Sequence, residues 1–133
     1  MKKITLIFLF YFVQYLNLSS NEIKLEEIIK DLNNPWSLSF MTDENILVTE
    51  KSGGLFNINL TNKKINKFTH NLNILEDGQG GMLEVLFNNN EIFVSYSENR
   101  GGGKSSTSVA KASINNGDLN FKNIFRAEPP INS

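Results

Sequence analysis

Two short units of alternating apolar residues, one following the other, constrain this chain more than any other feature. After residue 21 the apolar positions recur with period two, in short runs bounded by turn residues, the pattern of half-buried strands rather than helices. In the first unit Trp36, Leu38 and Phe40 share one side of a strand, Thr42-Asp43-Glu44-Asn45 turns the chain, and Ile46-Leu47-Val48-Thr49 begins the next strand. Lys51-Ser52-Gly53-Gly54 forms a second tight turn, in which glycine takes positive φ at little steric cost. Phe56, Ile58 and Leu60 then alternate, Thr61-Asn62-Lys63-Lys64 turns again, and residues 65–68 close a four-stranded meander. The second unit places strands at residues 82–87, 91–97, 107–114 and 119–125, with turns at Asn88-Asn89-Asn90, residues 99–106 and Asn115-Asn116-Gly117-Asp118.

Trp36 aligns with Leu83 and Ile46 with Ile92, which sets the units roughly 47 residues apart. A tandem four-stranded unit of that length predicts an all-β fold of the β-propeller kind, with about two blades in this chain; the other arrangement the pattern allows is a sandwich of about eight strands. Propellers close with about four to eight blades, so two would leave an open edge and an uncovered apolar face. Residues 21–133 are therefore expected to be the N-terminal part of a longer propeller domain. Residues 23–29 fit neither period and are expected as the outer strand that closes the ring, while Trp36 is expected in the core.

Residues 1–20 read as a secretory signal peptide: Lys2 and Lys3 precede an apolar run over residues 4–13, and Leu18-Ser19-Ser20 offers a small-residue cleavage site. The run is short for a membrane span, which needs about 20 apolar residues, so no stable span is expected after cleavage; an uncleaved anchor is the alternative. Either reading places the protein in the periplasm or outside the cell. The chain has no cysteine, hence no disulfide, thiolate metal site or cysteine nucleophile. Loss of Lys2 and Lys3 with the leader leaves the 14 acids in excess of the basic residues, and the lysines form no cluster, which argues against a nucleic-acid partner.

Glu76-Asp77-Gly78-Gln79-Gly80-Gly81, between the two units, is the stretch best suited to chemistry. Its glycines let backbone approach a ligand closely, and Gln79 presents a neutral donor and acceptor; a plain inter-blade connection is the competing reading. His70, the single histidine, has no nucleophile motif beside it and is expected at the surface. Glu50 is expected as a solvated strand end, and Gly101-Gly102-Gly103-Lys104 as a hairpin loop rather than a phosphate cradle.

Five segments, in order, carry a resemblance: Asn34-Pro35-Trp36-Ser37-Leu38-Ser39-Phe40, Ile46-Leu47-Val48-Thr49-Glu50-Lys51-Ser52-Gly53, Gly78-Gln79-Gly80-Gly81-Met82-Leu83-Glu84-Val85, Phe93-Val94-Ser95-Tyr96-Ser97-Glu98 and Ile124-Phe125-Arg126. They resemble successive signatures of the glucose/sorbosone dehydrogenase family. The resemblance implies a six-bladed propeller that holds pyrroloquinoline quinone (PQQ), assisted by Ca2+, and oxidises aldose sugars at the anomeric carbon, passing electrons to an acceptor. It implies that Gln79, matching the family's Gly-Gln-Gly motif, binds the cofactor. The family's catalytic histidine lies beyond the segment matching Phe125-Arg126 and Pro129-Pro130, and its calcium ligands later still. No catalytic and no metal-binding residue is therefore expected in this chain, and the fragment alone is expected to be inactive. Asn88-Asn89-Asn90 departs from the family's His-Pro-Asp-Phe-like turn. A non-catalytic exported propeller that binds a carbohydrate or a protein is the alternative function. The pattern leaves the sugar, the acceptor and the oligomeric state open.

Overall fold

The computed structural model describes residues 22–114 and 118–132. The expected leader, residues 1–20, and the centre of the turn at 115–117 lie outside the described residues. Among the described residues all regular structure is strand, and no helix is long and apolar enough to cross a membrane.

β1 (Pro35–Phe40), β2 (Asn45–Glu50), β3 (Leu55–Asn59) and β4 (Ile65–Lys67) follow one another as antiparallel neighbours in one sheet. Each turn lies where the polar and glycine-containing runs predict it, with Lys63 and Gly53 at positive φ. β5 (Thr69–His70) leaves this sheet, and the chain crosses to β6 (Met82–Asn88). β6, β7 (Glu91–Gly101) and β8 (Lys104–Ser113) then form a second antiparallel meander. β9 (Asp118–Leu119) pairs in parallel with β5, whereas β10 (Lys122–Arg126) and the short β11 (Ile131–Asn132) both pair with β8.

The expected strand over 119–125 is thus divided. Its first part ties the second sheet's outer chain back to β5, and its second part is that sheet's outer strand. The hairpin of β7 and β8 is longer than expected because Gly101, Gly102 and Gly103, all at positive φ, turn the chain within three residues. Pairing therefore continues through Glu98↔Ser106 and Asn99↔Ser105.

The main core lies between the two sheets. Leu47 and Leu55 from the first meet Met82, Val85, Ile92, Val94, Tyr96, Ala110 and Ala112 from the second. Trp36, Leu38 and Phe40 do share one side of β1, but that side faces away from this core, and Trp36 is 46% exposed. The other side carries Ser37 and Ser39, whose hydroxyls meet β6. The sheets approach most closely where β1 and β2 lie against β6, and small side chains are what that approach admits. Residues 22–32 form no strand, contrary to expectation. They cross the open face of the first sheet, where Ile29 and Leu32 pack against Ile46, Val48 and Ile58. Without a period-two pattern this segment has no register to offer a sheet edge.

Glu98 ties the second sheet together. It is buried on β7, and its carboxylate accepts from Arg126 Nε on β10 at 2.7 Å, from a second guanidinium nitrogen of Arg126, and from Ser108 Oγ on β8 at 2.7 Å. Asn123 Nδ2 also donates to it over a longer 3.3 Å, while Asn123 Oδ1 accepts from the Tyr96 hydroxyl at 2.9 Å. Burial alone would raise the Glu98 carboxyl, but the Arg126 guanidinium and the Ser108 hydroxyl outweigh it and hold the group below its ordinary value. A depressed carboxylate stabilises the fold above its unfolded pKa, about 4.3, and loses that contribution as pH falls through the lower folded value. Urea unfolding midpoints measured from about pH 6 to pH 3 should therefore fall more steeply for the native chain than for Glu98→Gln. Equal slopes would contradict the assignment.

Candidate functional site

The loop between β5 and β6 is held at both ends by backbone bonds, and its tip, residues 77–80, turns tightly between them. Leu75 N donates to Ser97 O at 2.9 Å and Ser97 N to Gly81 O at 2.8 Å, so both legs of the loop attach to β7. Met82 N donates to Lys51 O at 2.9 Å, joining the loop's end to the β2–β3 turn of the other sheet. At the tip, Gly80 N donates to Asp77 O at 2.6 Å and closes a tight turn, with Gly78 at φ 50°.

Gly81 is required by two constraints at once. Its φ is 151°, and a Cβ there would stand 2.4 Å from the Lys51 carbonyl oxygen. Gly80 is confined less severely: a Cβ would come within 2.8 Å of Ser97 Oγ and 3.0 Å of Asp77 O. Gly78 has open space around it and uses glycine only for its backbone angle.

This arrangement leaves Gln79 exposed and lining a concavity of about 550 Å³, together with Leu83, Thr107 and Pro129. Among the described lining residues Asp77 alone is charged; the remainder are backbone amides, hydroxyls, the Gln79 and Asn132 amides and a few apolar groups. Such a surface can orient a polyhydroxylated or carbonyl-bearing molecule by neutral hydrogen bonds, and the Lys51 ammonium beside it is engaged by Gly78 O at 2.6 Å. A larger hollow of about 710 Å³ lies on the open face of the first sheet. Trp36, Leu38, Phe40, Ile46 and Val48 line it, and it is an uncovered packing face rather than a site with convergent polar groups.

Two expectations are corrected. His70 is not a free surface residue: Nε2 donates to Gly53 O at 2.8 Å, Nδ1 accepts from Leu72 N at 3.3 Å, and the ring meets Phe121 edge-on at 6.2 Å. It thereby ties the β2–β3 turn to the start of the inter-sheet loop. Glu50 is not a solvated strand end but 9% exposed, and its Oε1 accepts from Asn33 N at 2.6 Å. Gly54 makes room for it, since a Cβ there would lie 2.6 Å from Glu50 Oε2. Neither role follows from sequence spacing, because both partners arrive through the tertiary fold. Lys51 and Ser97, which hold the Gln79 loop, were also not legible as site residues; the glycines at 80 and 81 show that something approaches closely, but not what. Among the described residues no group of three or more His, Cys, Asp or Glu side chains is gathered that could hold a metal.

A four-stranded antiparallel sheet and a second one whose four-strand path is extended by the short β11, joined by a glycine-built loop where their inner strands meet, define a pair of β-propeller blades. The chain belongs to the glucose/sorbosone dehydrogenase family, whose profile matches residues 32–133. Among solved structures it is similar to a glucose dehydrogenase at 30% identity, with a TM-score of 0.74 over 80% of this chain and 36% of that one. The soluble aldose sugar dehydrogenase of Escherichia coli in its apo-form is similar at 28% identity, with a TM-score of 0.67 over 74% of this chain and 31% of that one. The PQQ-bound aldose sugar dehydrogenase of Streptomyces coelicolor shares the fold at 15% identity and a TM-score of 0.68, over 79% of this chain and 34% of that one. The chain thus spans about a third of the length of these structures. Curated protein sequences give no match.

The loop geometry separates the glycines by cost. Gly81→Ala should destabilise the chain by about 1–3 kcal/mol, because a strained backbone angle and a clash with Lys51 O act together. Gly78→Ala, with strain alone, should cost about 1 kcal/mol. Chemical denaturation of the two variants checks the order, and equal losses would count against the close approach at Gly81.

Proposed function

We propose that this chain forms two blades of an exported PQQ-dependent dehydrogenase that oxidises aldose sugars at the anomeric carbon, with the leader over residues 1–20 directing it to the periplasm or the medium. The observation that carries the reading is the glycine-built loop of a glucose/sorbosone dehydrogenase family member, which puts Gln79 among the mostly neutral polar groups that line a concavity. Those residues fit one edge of such a cofactor. Gln79 offers an amide to a quinone or sugar oxygen, and Gly78 and Gly80 add no side chain to obstruct approach. The chemistry the quinone supplies when bound is acceptance of the hydride from the sugar's anomeric carbon.

The chain's own part is positioning. The Gln79 amide would orient the ligand by one or two hydrogen bonds, and the loop legs on β7 keep that amide in place. His70 is committed to Gly53 and Leu72 and stands apart as a structural residue, so a proton acceptor for the sugar hydroxyl must come from elsewhere in the full protein. Cationic partners for the quinone's carboxylates and ligands for a calcium ion are expected from the rest of the full protein, since among the described residues no cation lines the concavity and no group of three or more His, Cys, Asp or Glu is gathered. The chain alone is accordingly expected to be inactive.

The test uses the full-length protein that contains this segment, reconstituted with PQQ and calcium and assayed for aldose-dependent dye reduction. Activity is expected, and Gln79→Ala should lower kcat/KM by roughly 5- to 100-fold, the loss of one hydrogen bond at the reacting ligand. A folded protein that binds sugar yet reduces no dye would instead support a carbohydrate-binding propeller without catalysis, a reading the neutral lining of the concavity would also accommodate.

A further inference from the structure

Lys51 occupies the first position of the β2–β3 turn, and its backbone is anchored on both sides. Lys51 N donates to Asn34 O at 3.1 Å, and Lys51 O accepts from Met82 N at 2.9 Å. From that fixed base its side chain crosses between the sheets, and Nζ donates to the carbonyl oxygen of Gly78 at 2.6 Å. Gly78 immediately precedes Gln79, lies at φ 50° and has no heavy atom near its Cβ position. The tip of the loop is therefore a tight turn standing in open space, and an ammonium from the neighbouring sheet holds it.

We infer that Lys51 is a positioning residue: its ammonium holds the tip of the loop so that Gln79 stands in its working orientation before a ligand arrives. The inference rests on the reading of Gln79 as a ligand-facing residue, and it adds a residue from the first sheet to a site built on the second. An exposed ammonium–carbonyl contact contributes little to global stability, so its effect should appear as local order at the tip. Ordering that tip in advance lowers the cost of binding.

Lys51→Met removes the ammonium while keeping the backbone bonds to Asn34 and Met82, and Lys51→Arg restores a cation of similar reach. In this chain, amide exchange at Gly80, whose bond to Asp77 O closes the turn, should speed roughly tenfold in Lys51→Met and return towards the native rate in Lys51→Arg. Melting temperatures should agree within about 2 °C. In the full-length protein, PQQ affinity should weaken roughly three- to tenfold in Lys51→Met and recover in Lys51→Arg. Unchanged exchange at Gly80 would overturn the inference. So would a lowered melting temperature with equal loosening of β2 and β3, which would make Lys51 a stabiliser of its own turn. If Gln79→Ala leaves PQQ affinity unaltered, the Gln79 reading fails, and the exchange comparison still decides the role of Lys51.

Discussion

The structure depends on how the inner edges of its two sheets are closed against each other. β1 and β6 are both edge strands, and an unpaired edge exposes a row of backbone donors and acceptors. Serine and threonine hydroxyls complete that edge. Ser37 Oγ accepts from Val85 N at 3.3 Å and donates to Glu84 Oε1 at 2.9 Å, and Ser39 Oγ accepts from Phe87 N at 3.0 Å. Thr49 Oγ1, fully buried, donates to Leu83 O at 2.8 Å. These side chains are short enough for the strands to approach and polar enough to pair the backbone they meet. Behind them Leu47 and Leu55 supply the apolar contact with the second sheet.

The position of the Gln79 loop is a consequence of that closure. Because the sheets meet at their inner strands, the β2–β3 turn of the first comes against the start of β6 in the second, and Lys51 O can accept from Met82 N. Gly81 then has no space for a side chain, and the preceding residues are lifted to the end of the pair, where Gln79 stands free. The Gln79 loop on one blade is thus placed by backbone from its neighbour. That arrangement suits a fold whose ligands bind where several blades converge, and it explains why four residues around one side chain include three glycines.

Much of this was legible in the sequence. Period-two alternation with asparagine and glycine turns located β1 to β4 closely, because in a short meander local pattern and turn chemistry decide the register. Periodicity could not say which side of β1 faces its neighbour. Trp36, Leu38 and Phe40 look like core by hydrophobicity, yet the neighbouring sheet takes Ser37 and Ser39, since closeness near the meeting edge matters more there than apolar area. The division of the last strand into β9 and β10 depends on β5, about 50 residues earlier, and could not be seen locally. The Gln79 loop was marked by its glycines, whereas the structural roles of Glu50 and His70 depend on partners, Asn33 and Phe121 among them, that only the fold assembles.

The central claim is that the two sheets form one cooperative unit through the contact centred on Leu47. Native-state amide exchange of Leu47→Ala tests it most directly, because the substitution lies in the first sheet and its effect can be read in the second. The account predicts a loss of about 2–5 kcal/mol in the opening free energy of β7 amides as well as β2 amides. Loosening confined to β2 and β3, with β7 unmoved, would contradict it.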